Sequence, residues 1–206
     1  MADLRGGSYG NYYGSTYLTS EPLTYAEMQV NARYIALYLY SKGWTRNSVA
    51  AILGNMQAES SLNAGRWQSD YVGNRSGGYG LVQWTPATKY LDWCTSNGYS
   101  DPSTMDNNLA RIIYELENGL QWIATDDYNL TFKEFSKSYA AVEYLASAFL
   151  KNYERAGVEV EDTRRANAVE WLAFLNDLGD IGGYLPIKRN KKNFNFILFN
   201  RRRRIF

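Results

Sequence analysis

Apolar residues recur along most of this chain at intervals of three and four, the period of helices with one buried face. Between Thr45 and Trp84 the first half places Val49, Ile52, Leu53 and Met56 at i, i+3, i+4 and i+7, which predicts a core helix. Upstream, Thr24 to Glu27 reads as a capping box, and Met28, Ala32, Ile35 and Leu39 form the inner face of a helix that stops at Gly43. Downstream, Thr85 and Pro86 suit an N-cap and first residue, giving a helix over Pro86 to Asn97 that ends at Gly98. Asp106 is the expected cap of a helix that turns Leu109, Ile112, Ile113 and Leu116 inward. Thr131 to Glu134 gives a second capping box and a short helix. Val142, Leu145, Ala146, Phe149 and Tyr153 then share one stripe between Ser138 and Glu154. A last helix, Thr163 to Leu178, is expected to pack through Ala166, Val169, Leu172 and Leu175. No internal repeat is present.

One segment breaks the period. From Gly65 to Gly80, glycines alternate with aromatic and polar residues, the pattern of a short hairpin or paired turns. The expected fold class is therefore mainly α, with one small β-hairpin flap (α+β).

Glu59 stands at the end of the core helix, three positions after Met56 and seven after Ile52. At roughly 100° per residue it falls on the margin of the inward stripe. Partial burial and the negative end of the helix dipole would both raise its pKa, which suits a general acid in sugar-bond cleavage. Position alone also allows a solvated residue at a fraying helix end. The glycine-rich segment that follows, closing on Gly80, Leu81, Val82, Gln83 and Trp84, favours the first reading, because helix end, flap, amide and indole make three walls of a groove.

Composition narrows the chemistry. The 206 residues are 45% apolar and 16% aromatic, with eighteen Tyr, enough for one domain with a true core and for contact with sugars. There is no His, which excludes Ser-His and Cys-His triads and argues against a catalytic zinc site; no cofactor or metal is expected. One cysteine, Cys94, rules out an internal disulfide framework and fits synthesis in a reducing cytoplasm. No run of eighteen apolar residues exists to span a membrane. The net charge of +1 conceals an asymmetry. Residues up to Asp180 carry 14 Lys and Arg against all 21 acids, a net of −7, and the remainder carries 8 basic residues and no acid.

These features divide the chain into three parts. Residues 1–23 form a flexible arm rich in Gly, Tyr and Ser, with no basic start and apolar run of a secretion signal. Residues 24–179 form the domain. Residues 180–206 form a tail: a Gly-Gly-Tyr-Leu-Pro hinge, KRNKK, FNFILF and four arginines. Its alternating Phe194, Phe196 and Leu198 suit a strand added to a partner's sheet edge, and its basic flanks suit an acidic surface or nucleic acid. The tail reads either as an anchor or as a disordered remnant.

The pair Glu59-Ser60 followed by Gly80-Leu81-Val82-Gln83 resembles the catalytic and second motifs of the goose-type lysozyme and lytic transglycosylase group. The longer strings LGNMQAESSLNAG and GYGLVQWTPA are similar to the phage tail lysozyme family, in particular the lysozyme domain of tail-knob peptidoglycan hydrolases of short-tailed phages. The resemblance covers about Thr24 to Leu178. It implies a lysozyme-like fold, a place at the tail tip of a virion after synthesis in the host cytoplasm, other tail proteins as partners, and cleavage of the β-1,4 bond between N-acetylmuramic acid and N-acetylglucosamine in peptidoglycan. Glu59 would protonate the glycosidic oxygen and Gln83 would hydrogen-bond substrate. Tyr153, in Tyr153-Glu154-Arg155, resembles a third-motif tyrosine lining the sugar cleft; alone it reads as a core aromatic. Tyr79 and Trp84 are ring platforms or flap packing, and Ser60 contacts substrate or helps end its helix. For a second carboxylate Asp70 is nearest in sequence, with Asp126 and Asp127 as further candidates. Without one, Glu59 could act alone as in lytic transglycosylases. The related tail-knob proteins often carry a zinc endopeptidase domain where this chain has its basic tail. A different class stays open: a non-catalytic tail-tip plug with the same fold.

Overall fold

Helices α1 (Tyr25–Ser41), α2 (Arg46–Ser60), α3 (Thr88–Ser96), α4 (Met105–Asn118), α5 (Phe132–Lys137), α6 (Val142–Phe149) and α7 (Glu161–Asp177) build the domain. A computed structural model describes residues 23–155 and 160–178; the arm before Leu23 and the tail from 180 onward lie outside the described residues.

Both capping boxes form. The Thr24 and Thr131 hydroxyls accept from the backbone N–H of Glu27 and Glu134, whose carboxylates accept in return from the cap N–H at 2.8 Å. Two expected starts move. The Thr85–Pro86 peptide is cis, Thr85 donates its hydroxyl to the Gln83 carbonyl at 2.9 Å, and α3 begins only after Ala87. Thr104, not Asp106, caps α4; its hydroxyl accepts from Asn107 N–H, while Asp106 sits in the first turn and accepts from the Tyr34 hydroxyl.

Helix α2 runs through the middle of the core, buried continuously from Ser48 to Met56. It packs antiparallel to α7. Arg46 at one end reaches Asn176 at 3.0 Å, Gln57 accepts from the Trp171 indole at 2.7 Å, and Glu59 at the other end meets Arg164. Gly54 makes this approach possible, because a Cβ there would lie 2.7 Å from both the Ala168 nitrogen and the Arg164 carbonyl oxygen. The inner face of α7 differs from the expected one. It is Arg164, Ala168, Trp171 and Leu175, while Ala166 and Val169 are exposed and Leu172 is half-buried. The stripe is rotated because Trp171 fills the core and Arg164 has acceptors on α2, which the apolar pattern of α7 alone does not contain.

The expected β-hairpin does not form among the described residues. Residues 65–87 make paired turns pinned by two isolated antiparallel bridges, Trp67 with Tyr79 and Tyr79 with Trp84. Pairing cannot extend because Ser69 and Asp70 near one bridge, and Gly80 and Gln83 within the other turn, all take positive φ.

From α6 the chain continues into a π-helical turn, Leu150–Glu154, closed by Arg155 N–H donating to the Leu150 carbonyl at 2.8 Å. The stripe Val142, Leu145, Ala146, Phe149 and Tyr153 is buried as expected. The wider turn keeps Tyr153 inward and leaves Glu154 beside it at the surface of an open cleft.

Candidate active site

Ser60, in the last turn of α2, joins the two sequence motifs. Its buried hydroxyl donates to the Met56 carbonyl at 3.2 Å and across to the Leu81 carbonyl at 3.0 Å. It therefore fixes the Gly80–Trp84 turn to the helix end, and its contacts are structural. Asn108 of α4 completes the joint: its Oδ1 accepts from Leu81 N–H at 2.9 Å, and its amide donates to the Ala64 carbonyl at 3.2 Å. Gly80 lies against this amide with φ +83°, and a Cβ would meet Asn108 Oδ1 at 2.5 Å.

Between the joint and the π-helical turn opens a cleft of about 580 Å³. Glu59 lies in its lining; Gln68, Val82, Gln83, Trp84, Thr85 and Lys89 line the side of the flap and α3, and Gln121, Glu154 and Arg155 line the other. The structure thus brings Glu59, Gln83 and Trp84 together in one lining. The Gln83 amide nitrogen donates to the Gly80 and Arg66 carbonyls at 2.9 and 3.1 Å, which holds the side chain in place in its turn.

The aromatic residues divide. Trp84 lines the cleft but is only 2% exposed; its indole stacks on Tyr90 at 4.5 Å and donates to Glu115 Oε1 at 3.1 Å. Tyr79 is 4% exposed, between Trp67 and Tyr90, and Tyr153 is 1% exposed against Phe149 and Phe132. Neither tyrosine is in the cleft lining, and the Tyr153 hydroxyl donates to Glu115 rather than to Glu59.

Asp70 is likewise outside the lining. It forms an ion pair with Arg66 at 3.2 Å within the flap. Asp126 and Asp127 lie exposed in the loop before α5.

Four charged residues at the site escaped the sequence reading. Arg164 of α7, its side chain 8% exposed, donates from Nη2 to Glu59 Oε1 at 2.5 Å, and from Nη1 to the carbonyl and side-chain oxygens of Asn55 at 3.3 Å. Glu154 shares the cleft lining with Glu59. Its Oε1 is enclosed and has no hydrogen-bond partner among the described residues. Burial, and next the neighbouring Glu59 carboxylate, push its carboxyl well above the ordinary glutamate range, against the pull of Arg164. Arg155 takes a positive φ and donates to the Gln121 and Asn152 carbonyls. Glu115 of α4 lies behind Trp84 and accepts from Trp84, Tyr153 and, at 2.8 Å, Arg111 Nε. Burial raises its pKa, opposed by those three donors. A signal existed for Glu115, which follows Ile112 by three positions on an inward stripe. Glu154 and Arg155 follow the third-motif tyrosine in sequence, which marks their position but not their role; for Arg164 no signal exists, since its partners are distant in sequence.

Among the described residues no three His, Cys, Asp or Glu side chains assemble as metal ligands, and no helix is long and apolar enough to cross a membrane.

A mainly helical domain with a carboxyl at the end of its central helix, facing a cleft walled by a Gly-Leu-Val-Gln turn, has the build of a lysozyme-like protein. The phage tail lysozyme family matches residues 30–175, and the chain belongs to that family. It is 47% identical over 160 residues to morphogenesis protein 1 of Bacillus phage B103, an alignment covering 78% of this chain and 43% of that relative. The chain thus spans less than half the length of that curated relative.

Proposed function

We propose that the protein is a virion-associated peptidoglycan glycosidase of a phage tail tip, cleaving the β-1,4 bond between N-acetylmuramic acid and N-acetylglucosamine to aid genome entry. The observation that carries this reading is the position of Glu59: on the last turn of a buried core helix, in the lining of a cleft of about 580 Å³ that Gln83 also lines. Glu59 protonates the glycosidic oxygen, Gln83 offers its remaining hydrogen-bonding capacity to substrate, and Trp84 supplies an apolar wall. Tyr79, Tyr153 and Ser60 support these walls from within. Asp70 is held in the flap by Arg66, so the water or the substrate's own hydroxyl that completes the reaction is not assigned to it.

A zymogram on purified peptidoglycan with wild type and Glu59→Gln tests the proposal. Clearing by wild type and none by the variant is expected; clearing by both removes Glu59 from the mechanism. Mass spectrometry of the released sugars separates reducing ends, left by hydrolysis, from anhydro ends, left by transglycosylation.

A second reading is a non-catalytic tail plug, favoured by the ion pair that ties Glu59 to Arg164 and by the name morphogenesis protein carried by the relative. No clearing by wild type supports it. In either reading residues 181–206 anchor the protein to other tail components; their deletion without loss of virion incorporation would remove that role.

A further inference from the structure

We propose that Lys89 makes the cleft selective for an anionic glycan, its ammonium pairing with a carboxylate carried by the muramic acid residue of the substrate. The inference rests on the reading of this cleft as the glycan groove, and it takes nothing from the protonation of the glutamates there.

Lys89 stands in the first turn of α3 and in the cleft lining. It is exposed, and among the described residues no carboxylate pairs with it. The other cations at the cleft are engaged: Arg164 by Glu59 and Asn55, and Arg155 by the Gln121 and Asn152 carbonyls. On α3 itself the acid within reach is Asp92, one turn on, and it is taken by Arg75. The first turn holds no acid, and a cation there sits at the positive end of the helix dipole, where charge of its own sign is disfavoured. Its surroundings therefore do not account for a lysine at this position. An anion that enters the cleft does.

The charge of the whole site points the same way. The lining holds Glu59 and Glu154 against Lys89 and Arg155, and Arg164 joins them through its bond to Glu59. Three cations against two carboxyls leave +1 when both glutamates are ionised and more when either is protonated. Residues up to Asp180 carry a net charge of −7, so the cleft is a positive site in an acidic chain segment and draws anionic ligands to itself.

The chemistry of the substrate supplies the anion. The sugar rings of peptidoglycan are uncharged. Its carboxylates hang from the muramic acid, either on the stem peptide or, where the stem has been removed, on the lactyl group that bore it. A compact ammonium on a flexible four-carbon chain suits a carboxylate whose position varies with the conformation of such a substituent. A neutral polymer of N-acetylglucosamine offers Lys89 no partner.

Binding to the full chain carrying Glu59→Gln tests the idea without turnover. The ligands are short soluble glycan strands, with stem peptides or stripped by an amidase, each untreated and with its carboxyls capped as methylamides. Isothermal titration calorimetry at low salt is expected to give a Kd about three- to fivefold lower for untreated than for capped strands. Added salt should shrink that ratio, a further Lys89→Gln should bring it to about one, and Lys89→Glu should invert it. A preference confined to stem-bearing strands assigns the stem carboxylates; one kept by stripped strands assigns the lactyl carboxylate. Equal Kd values for untreated and capped strands, or a preference that survives Lys89→Gln, overturn the proposal. Binding of no strand at all removes the cleft as a glycan groove and the proposal with it. Absence of clearing by wild type sinks the reading of Glu59 as the acid, and the binding ratio still decides the role of Lys89.

Discussion

Replacing Gly54 by Ala tests how α2 and α7 set the site. An ordinary helix-interior glycine gains about 1 kcal/mol on becoming alanine. Here the new Cβ would lie 2.7 Å from the Ala168 nitrogen, 2.7 Å from the Arg164 carbonyl oxygen and 2.8 Å from the Ala168 Cβ. The first two are backbone atoms and cannot rotate away, so α7 has to withdraw until these contacts reach an ordinary distance. Forcing a packed core apart costs about 1–3 kcal/mol, and a backbone obstacle belongs at the upper end. Subtracting the propensity gain leaves a net loss of about 2 kcal/mol, or roughly 4–8 °C in Tm for a domain of this size. Because Arg164 is one of the residues pushed, its 2.5 Å contact with Glu59 should lengthen and peptidoglycan clearing should fall with Tm. Thermal unfolding by circular dichroism reads the first effect and a turbidity assay the second. Ala58→Gly, at an exposed position of the same helix, calibrates propensity alone and should lose about 1 kcal/mol. If Gly54→Ala has a Tm equal to or above wild type, propensity outweighs contact and the close approach is not what holds α7.

Further outcomes follow from other joints. Glu115→Ala strands the Arg111 guanidinium, the Trp84 indole and the Tyr153 hydroxyl together, and should cost about 3–5 kcal/mol by thermal unfolding; a loss below about 1 kcal/mol would show that water replaces the carboxylate. Ser60→Ala removes the bond between α2 and the Leu81 carbonyl and should cost about 1 kcal/mol; an unchanged Tm would mean the joint rests on Asn108 alone. Gly80→Ala, at φ +83° and against Asn108, should destabilise more than Ser60→Ala. Glu154 has a folded pKa raised above its unfolded one, so its contribution to stability is full below the ordinary glutamate pKa and is lost as pH rises through the folded value. Glu154→Gln should therefore flatten the fall in wild-type Tm across that window, and equal slopes for the two proteins would contradict the burial of a neutral carboxyl.

What the sequence determined by itself was local. Periodicity located the helices, and hydrogen bonds spanning three residues fixed the caps at Thr24 and Thr131, because each such decision needs only near neighbours. The spacing from Ile52 and Met56 placed Glu59 at the inward edge of α2 for the same reason, and the motif Gly80–Trp84 supplied the facing wall. Tertiary structure decided the charge and the depth of the site. Arg164 turns into the core only because α2, 105 residues earlier, presents Glu59 and Asn55 as acceptors at a distance that Gly54 permits. Tyr79 and Tyr153 became core rather than cleft because their rings stack on Tyr90 and Phe149 and one hydroxyl reaches Glu115. The expected hairpin became paired turns because positive-φ residues interrupt the pairing. A π-helical turn set Glu154 at the cleft beside a buried Tyr153. A chain's own period fixes which residues share a face; which buried charge survives there depends on a partner that only packing brings within reach.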